Sequence, residues 1–187
     1  MTTVFKNQLQ SGVGPSVTLT ATAVQPSTPS AGSVTYTFTT QTAIPFPVGS
    51  YISVSGSSVS GYNGPFGPVT AATTGSVTVA NATTGASSGT VTLTGLLFST
   101  NASAKTTVIG FSLTNTTGFI VTASVQLNDT VAGTTANYIS AVPIPPNQSL
   151  RIVTGGEKLI LGPSTNVIVN INQSASVDAV LSFVEIS

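Results

Sequence analysis

The sequence predicts an all-β protein built as an antiparallel β-sandwich or jelly roll with a second small β domain inserted. Short runs of Val, Ile, Thr, Tyr and Phe alternate in polarity, and no run shows the 3.6-residue period of a helix. Turn-forming Gly, Pro and Asn separate these runs, and the chain contains 18 glycines and 11 prolines. About eleven short strands divided by such turns are typical of sandwiches and jelly rolls.

Residues 33–40, SVTYTFTT, show the strand pattern most clearly. Val34, Tyr36 and Phe38 fall on one face, and threonines fall on the other, as expected of a half-buried strand. By the same criterion we predict strands at residues 17–24, 50–56, 75–81, 90–98, 106–114, 119–127, 149–153, 157–161, 166–172 and 177–186.

A change in composition near residues 99–105 predicts a domain boundary. Only Lys6 is charged before this point, whereas seven of the eight charged residues follow it. The tetrapeptide VTLT occurs at residues 17–20 and again at 91–94. The repeat is either coincidence in a Val/Thr-rich chain or the mark of a module inserted after one strand, with the chain resuming beside that strand.

The composition excludes several classes of protein. The hydrophobic fraction of 40% and the net charge of zero are those of a chain that folds, because disordered chains combine low hydrophobicity with high charge. No run of about 18 apolar residues predicts a membrane helix. The first ten residues, MTTVFKNQLQ, show no secretory signal, and we expect the chain to be made and kept in a cytoplasm until it joins an assembly.

The sequence also offers little material for catalysis, and we expect no catalytic residue, cofactor or metal. There are no cysteines and no histidines, and four basic residues scattered along the chain form no stripe for nucleic acid. Asp178 and Glu185 lie on one predicted strand, seven residues and about 23 Å apart, and therefore face opposite sides. Asp129 suggests either a calcium turn or an Asx turn, and the absence of a second acid nearby favours the Asx turn.

The low charge itself indicates an assembled protein. Charged residues make up 4% of the chain, against roughly 25% in an average soluble protein. Strands at sheet edges normally carry charges that prevent association with other chains. We therefore expect the edges to be covered by neighbouring subunits in a homo-oligomer, with a monomer coated by Thr and Ser as the alternative.

Two segments provide candidate contact residues. In SGYNGPFGP, residues 60–68, Tyr62 and Phe66 either anchor a partner or fill the end of their own sandwich, and Pro65 after Asn63-Gly64 favours a wide loop over a two-residue hairpin. In LRIVTGGEKLILG, residues 150–162, alternation predicts a hairpin that turns at Gly155 and Gly156. Leu150 and Ile152 would then face Leu159 and Leu161 across the turn, with Arg151 pointing outward on its strand and Glu157 and Lys158 beside the turn. We expect these three charged residues to be contacts that set the register with a neighbouring subunit.

Several segments resemble a small β domain of virion structural proteins from tailed bacteriophages, notably cyanophages. They are VFKNQLQSGVG (4–14), TTVIGFSLTNTT (106–117), VQLND (125–129), VPIPPNQSLRIVTGGEKLILGPSTNVIVNI (142–171) and VDAVLSFVEI (177–186). The resemblance implies that residues 1–24 and 97–187 form one framework domain and that residues 25–96 are the inserted domain. We expect residues 1–14 to be an arm that reaches a neighbour or the shell beneath, with Phe5 and Lys6 as contacts. The family has an acidic GD turn after the Gly-Gly hairpin, and LGPSTN replaces it here.

The resemblance implies a non-enzymatic virion protein, a symmetric homo-oligomer, with a trimer favoured, that decorates or cements the capsid. Its partners would be other copies of itself and the major capsid protein or neck and tail proteins, and neither nucleic acid nor membrane. One alternative is a neck or tail accessory subunit. Another is recognition of host-surface glycan by the inserted domain, using Tyr36, Phe46, Tyr51, Tyr62 and Phe66 as aromatic platforms.

Overall fold

The computed structural model describes residues 2–14, 16–26, 32–173 and 176–186. Within these ranges the regular structure is β-strand apart from one 3₁₀ turn at Ser60–Tyr62, which confirms the all-β prediction. The strands are β1 (Thr3–Val13), β2 (Thr18–Pro26), β3 (Gly32–Phe38), β4 (Tyr51–Ser55), β5 (Gly64–Phe66), β6 (Val69–Ala72), β7 (Ser76–Asn81), β8 (Val91–Leu96), β9 (Phe98–Ser99), β10 (Lys105–Asn115), β11 (Val121–Asp129), β12 (Thr134–Ile144), β13 (Ser149–Val153), β14 (Leu159–Leu161), β15 (Thr165–Ile171) and β16 (Val177–Ile186).

The chain divides into two compact units. The first unit comprises Met1–Ser16 and Leu97–Ser187, and the second comprises Val17–Leu96. The first unit is a sandwich of two antiparallel sheets. One sheet has the order β1-β16-β10, with β13 and β14 both paired to the far side of β10, and the other has the order β12-β11-β15-β9. Alternate residues of both sheets fill the core between them, including Leu113 and Leu181 from the first sheet and Val125 and Ile171 from the second.

The residues expected to form an N-terminal arm are instead an edge strand of the first unit. β1 pairs antiparallel with β16 from Thr3 opposite Ile186 to Val13 opposite Val177. One side of β16 bonds to β10, and its other backbone groups need partners, which β1 supplies. The prediction that this segment reaches out as a free arm is therefore wrong.

A bulge interrupts β1 near its end. The Ser11 hydroxyl and the Gly12 N–H both donate to Asp178 Oδ1, at 2.7 Å and 3.0 Å. Gly12 has a φ of 67°, a backbone conformation that glycine adopts at little cost. The Asp178 carboxylate thus fixes the chain where β1 leaves its regular register.

The predicted hairpin at residues 150–162 is not formed. β13 and β14 do not pair with each other, since both run antiparallel to β10 as successive parts of one edge. Val153 is opposite Phe111 and Leu159 is opposite Val108. β13 and β14 are therefore two parts of one interrupted strand, and the residues between them form a loop that leaves the sheet and returns to it. The side-chain faces were predicted correctly, because Ile152 and Leu161 are buried in the core and Arg151 is exposed.

The second unit is one seven-stranded sheet in the order β5-β4-β8-β2-β3-β7-β6. The two VTLT copies lie in its neighbouring strands, with Thr18 opposite Thr94 and Leu19 opposite Leu93. The strand predicted at 17–24 therefore belongs to this unit, which begins at Val17 and not at residue 25. The reason is hydrogen bonding, since both edges of β2 are occupied within this sheet, by β3 and by β8.

The first unit is interrupted in sequence, and both ends of the interruption are held by β15. The Ser16 N–H donates to Asn170 Oδ1 at 3.0 Å, and the Leu97 N–H donates to the Val167 carbonyl at 2.9 Å. Four strands, β1, β5, β6 and β12, were not predicted. In β12 the residues TTANYISAVPI lack regular alternation, and its register against β11 shifts twice.

Candidate interaction surface

The exposed face of the β1-β16-β10 sheet is the most apolar surface that we identify. We call it the outer face, meaning the side of this sheet that points away from the sandwich core. Directly opposite residues in antiparallel strands point to the same side, so the pairing register defines three rows across the face. The Phe5 row is Phe5, Val184, Thr107 and Ile160, the middle row is Asn7, Ser182 and Gly110, and the Leu9 row is Leu9, Val180, Ser112 and Arg151.

The apolar residues of the outer face are strongly exposed. Phe5 is 75% exposed, Ile160 is 70% exposed and Leu9 is 66% exposed. On the opposite side of the same strands, Val177, Leu181 and other odd-numbered residues of β16 are buried in the core. The sheet therefore exposes several large apolar side chains among polar ones on the side where an antiparallel sheet facing water is normally polar.

Charged residues lie at opposite ends of the outer face. Lys105 stands at the start of β10, opposite Ile186, and Asp178 stands near the start of β16, opposite Thr114. Their positions on β16, Ile186 and Asp178, are eight residues apart, so about 26 Å separates these ends. The face therefore carries Lys105 at one end and Asp178 at the other, with Arg151 at the side of the half that contains Asp178.

The candidate contacts Phe5 and Lys6 lie on opposite sides of the sheet edge. Phe5 belongs to the outer face, whereas Lys6 is opposite Phe183 and forms an ion pair with Glu185. Within the described ranges this is the only salt bridge. Because the Lys6 side chain is 48% exposed, we expect the pair to contribute at most about 1 kcal/mol to the free energy of unfolding.

Tyr62 and Phe66 serve the core of the second unit. Tyr62 is fully buried, and its hydroxyl donates to the Gly85 carbonyl at 2.8 Å. Phe66 is half-buried and packs against the same core. The Asn63 amide closes the loop before β5, since it accepts from the Ser57 N–H and donates to the Ser57 carbonyl, each at 2.9 Å. The wide loop is confirmed, and Tyr62 fills the core of its own unit.

Tyr36 is buried in the same core, and its burial raises the pKa of its hydroxyl. Its hydroxyl donates to the Tyr62 carbonyl at 3.2 Å, and desolvation, with a smaller effect of Tyr62, raises the pKa of the Tyr36 hydroxyl above its ordinary range. Tyr36, Phe46 and Tyr62 are all at most 1% exposed. These three rings are therefore closed to a sugar.

Arg151, Glu157 and Lys158 are all exposed, but they do not act as one cluster. Arg151 ends the Leu9 row of the outer face. Glu157 belongs to the turn after β13, where its carboxylate accepts from the Thr154 hydroxyl at 3.1 Å and its N–H donates to the Thr154 carbonyl at 3.1 Å. Lys158 follows this turn.

The carboxylates serve local structure. Asp178 holds the β1 bulge from the outer side, and Glu185 pairs with Lys6 from the other side, so the two acids face apart as predicted. Asp129 Oδ1 accepts the N–H groups of Val131 and Ala132, each at 2.9 Å, which is the predicted Asx turn. In the part of the chain that the structure describes, no three His, Cys, Asp or Glu side chains are grouped as a metal site. In the same part, no helix has the length and apolar character needed to cross a membrane.

Leu9, Val180, Val184 and Ile160 were not identified from the sequence as surface residues. The signal was present in VDAVLSFVEI, residues 177–186, where valines occupy even positions as well as odd ones. We interpreted the segment only as a strand. A strand that is apolar on both alternations either lies inside a protein or needs a partner on its second side.

Comparison of the chain with protein-family models, with curated proteins and with solved structures gives no match.

Proposed function

We propose that this protein is a non-enzymatic structural subunit of a tailed-phage virion, a symmetric homo-oligomer that decorates or cements the capsid. The observation that carries the proposal is the outer face, where Phe5, Leu9 and Ile160 stand exposed on a chain with 4% charged residues. On a free monomer such a surface promotes aggregation. In an assembly its burial stabilises the contact between subunits by roughly 25 cal/mol per Å² of apolar area.

The strand order of the first unit supports a jelly-roll form of the sandwich. If β13 and β14 count as one interrupted strand, the described part of the unit has eight strands. Lettered B to I in chain order, they give the sheets B-I-D-G and F-E-H-C, an order that favours the jelly-roll form. Viral capsid proteins are among the proteins that use this fold, although lectins and cupins use it as well.

A position at the neck or tail is the alternative for the same subunit, since the outer face would be buried equally well in an assembly on the capsid shell or on the tail tube. Recognition of glycan by the second unit has less support. Tyr36, Phe46 and Tyr62 are inside the core, and Tyr51 and Phe66 are partly covered.

Association with the virion tests the proposal directly. The protein is labelled, mixed with empty expanded heads of the phage that encodes it, and separated on a gradient, while light scattering measures its oligomeric state. We expect an oligomer that sediments with the heads, and copy-number analysis of purified virions then fixes its place. Several hundred copies indicate the capsid shell, whereas 5, 6, 12 or a small multiple indicate a vertex, the neck or the tail. A monomer that is absent from virions would contradict the proposal.

A further inference from the structure

We infer that a second copy of this chain covers the outer face, through a two-fold axis that lies parallel to the sheet and perpendicular to its strands, along the middle row. The inference rests on the proposed function only in taking the protein to be a homo-oligomer. It names the surface, the partner and the relative orientation of the two copies.

The apolar rows are placed symmetrically about this axis. Phe5 and Leu9 each lie two residues from Asn7 along β1, and Val184 and Val180 each lie two residues from Ser182 along β16. A half-turn about the middle row therefore brings the Phe5 row of one copy over the Leu9 row of the other. Phe5 then packs on Leu9 of the second copy, and Val184 packs on its Val180, twice in each dimer.

The middle row is shaped for close approach. Ser182 and Gly110 are small, so the two sheets can approach closely at these positions, while Asn7 lies on the same row and Ile109, which is 41% exposed, lies in the adjoining bulge. Gly110 is not required by crowding within its own sheet. A Cβ added there would meet only Ser182 Cβ, at an ordinary contact distance of 3.8 Å. A glycine in a strand interior often marks a bulge or a place where another backbone comes close, and Gly110 adjoins the β10 bulge.

The charges at the two ends agree with the same axis. The half-turn reverses the strand direction, so Lys105 of each copy lies over the end that carries Asp178 in the other. The dimer would therefore join Lys105 to Asp178 in two places at its rim, while Arg151 of each copy would lie over Ile160 of the other. This arrangement also favours a second copy over nucleic acid or an anionic membrane, which would require several cations on the face.

The area of the face is sufficient for a specific dimer. β16 spans ten residues, or about 33 Å, and four strand positions with their side chains span about 19 Å. The face therefore offers about 600 Å² per copy, or about 1,200 Å² in a dimer, at the lower end of specific interfaces. Sheets that pack face to face lie about 10 Å apart with their strands about 30° from parallel, which keeps the rows in contact near the axis.

Cysteine cross-linking tests the axis, because the chain has no cysteine of its own. Ser182→Cys is nearly isosteric and places a thiol on the axis, opposite the thiol of the second copy. The full chain is treated with a short bismaleimide, which can bridge thiols on sheets about 10 Å apart, and is run on a denaturing gel. We expect most of the protein to become a covalent dimer. Val131→Cys is the matched control, since Val131 is 79% exposed in the loop after β11 and should remain uncross-linked.

Mixed charge variants test the predicted contact between rows. Leu9→Lys should raise the dimer dissociation constant at least 100-fold, and Phe5→Glu should do the same, whereas Val131→Lys should change it less than 3-fold. An equal mixture of the Leu9→Lys and Phe5→Glu proteins should recover association, because residue 9 of one copy faces residue 5 of the other. Circular dichroism confirms that each variant keeps its strands.

The outcomes separate this inference from the proposed function. If wild-type protein is oligomeric but Ser182→Cys cross-links no better than Val131→Cys, the axis is wrong, although virion binding stands. If the mixture shows no recovery, the assigned orientation is wrong. If the dimer forms as described but is absent from virions, this inference holds and the proposed function fails.

Discussion

Removal of the Asn115 side chain should destabilise the first unit, because this side chain connects its two sheets. Asn115 ends β10 and is fully buried. Its Nδ2 donates to the carbonyls of Phe119, Ile144 and Pro145, at 2.8, 2.9 and 3.1 Å. Its Oδ1 accepts from the N–H of Thr117 at 2.9 Å and from the Thr117 hydroxyl at 2.8 Å. Since Ile144 ends β12, one amide joins a strand of each sheet.

The expected cost follows from these bonds. A net hydrogen bond contributes about 1 kcal/mol, and each buried polar group left without a partner costs about 1 to 3 kcal/mol. Asn115→Ala breaks the bonds at both ends of the amide and leaves the Thr117 N–H without its acceptor, whereas the Ile144 carbonyl stays opposite Val121 in the ladder and the Pro145 carbonyl keeps the Gln148 N–H. We therefore expect a loss of about 2 to 4 kcal/mol in the free energy of unfolding. Asn115→Asp keeps the acceptor but directs a carboxylate at three carbonyl oxygens. Its cost should be at least as large at pH 7 and should decrease at low pH, where the introduced carboxyl is protonated and regains a donor.

Guanidinium unfolding followed by far-UV circular dichroism measures these differences at pH 7 and pH 4, each against wild type. Asn137→Ala and Asn137→Asp are the matched controls, because Asn137 is exposed and accepts a single side-chain bond from Gln126 at 3.0 Å. They should cost less than about 1 kcal/mol. A loss below 1 kcal/mol for Asn115→Ala, or wild-type stability of Asn115→Asp at pH 7, would refute the reasoning.

Two further changes have definite expected outcomes. Burial raises the pKa of the Tyr36 hydroxyl in the folded state. Its contribution to the free energy of unfolding is therefore complete below the unfolded-state pKa of about 10 and is lost as the pH rises above that value. The stability of the protein should consequently decline in alkali. Tyr36→Phe should reduce that decline in thermal unfolding between pH 8 and 11, whereas Tyr138→Phe, at a 40% exposed tyrosine, should leave it unchanged; equal slopes for both variants would contradict the assignment. Gly156 has a φ of 102°, so Gly156→Ala should cost about 1 kcal/mol or more, while Gly155→Ala, where φ is not positive and space is open, should be neutral or slightly stabilising. Melting temperatures of the two alanine variants should differ by several degrees, and identical values would show that the turn is not fixed.

Local pattern was sufficient to predict the strands that alternate in polarity, such as β3 and β7, because burial of one face imposes a two-residue period. It could not predict which strands pair. Residues 150–162 have the turn chemistry of a hairpin, yet β10 is long enough to accept both β13 and β14 along one side, and that competition is invisible locally. β1 was misassigned for a related reason, since its alternating residues Lys6, Gln8 and Gln10 resemble a solvated arm and its only partner strand is at the other end of the chain. The outer face emerges only when register aligns Phe5 with Val184 and Leu9 with Val180.

The two ends of the first unit's interruption, Ser16 and Leu97, are both hydrogen-bonded to β15 and therefore lie close together. Asn170 and Val167, which hold Ser16 and Leu97, are three residues and so about 10 Å apart along one strand. A few residues of linker can cover that gap, and the first unit keeps every strand of its sandwich whatever the chain does in between. The strands that enter and leave the second unit, β2 and β8, are hydrogen-bonded neighbours, so that unit also closes on itself. We therefore expect the first unit to keep its sandwich when residues 17–96 are replaced by a linker of a few residues.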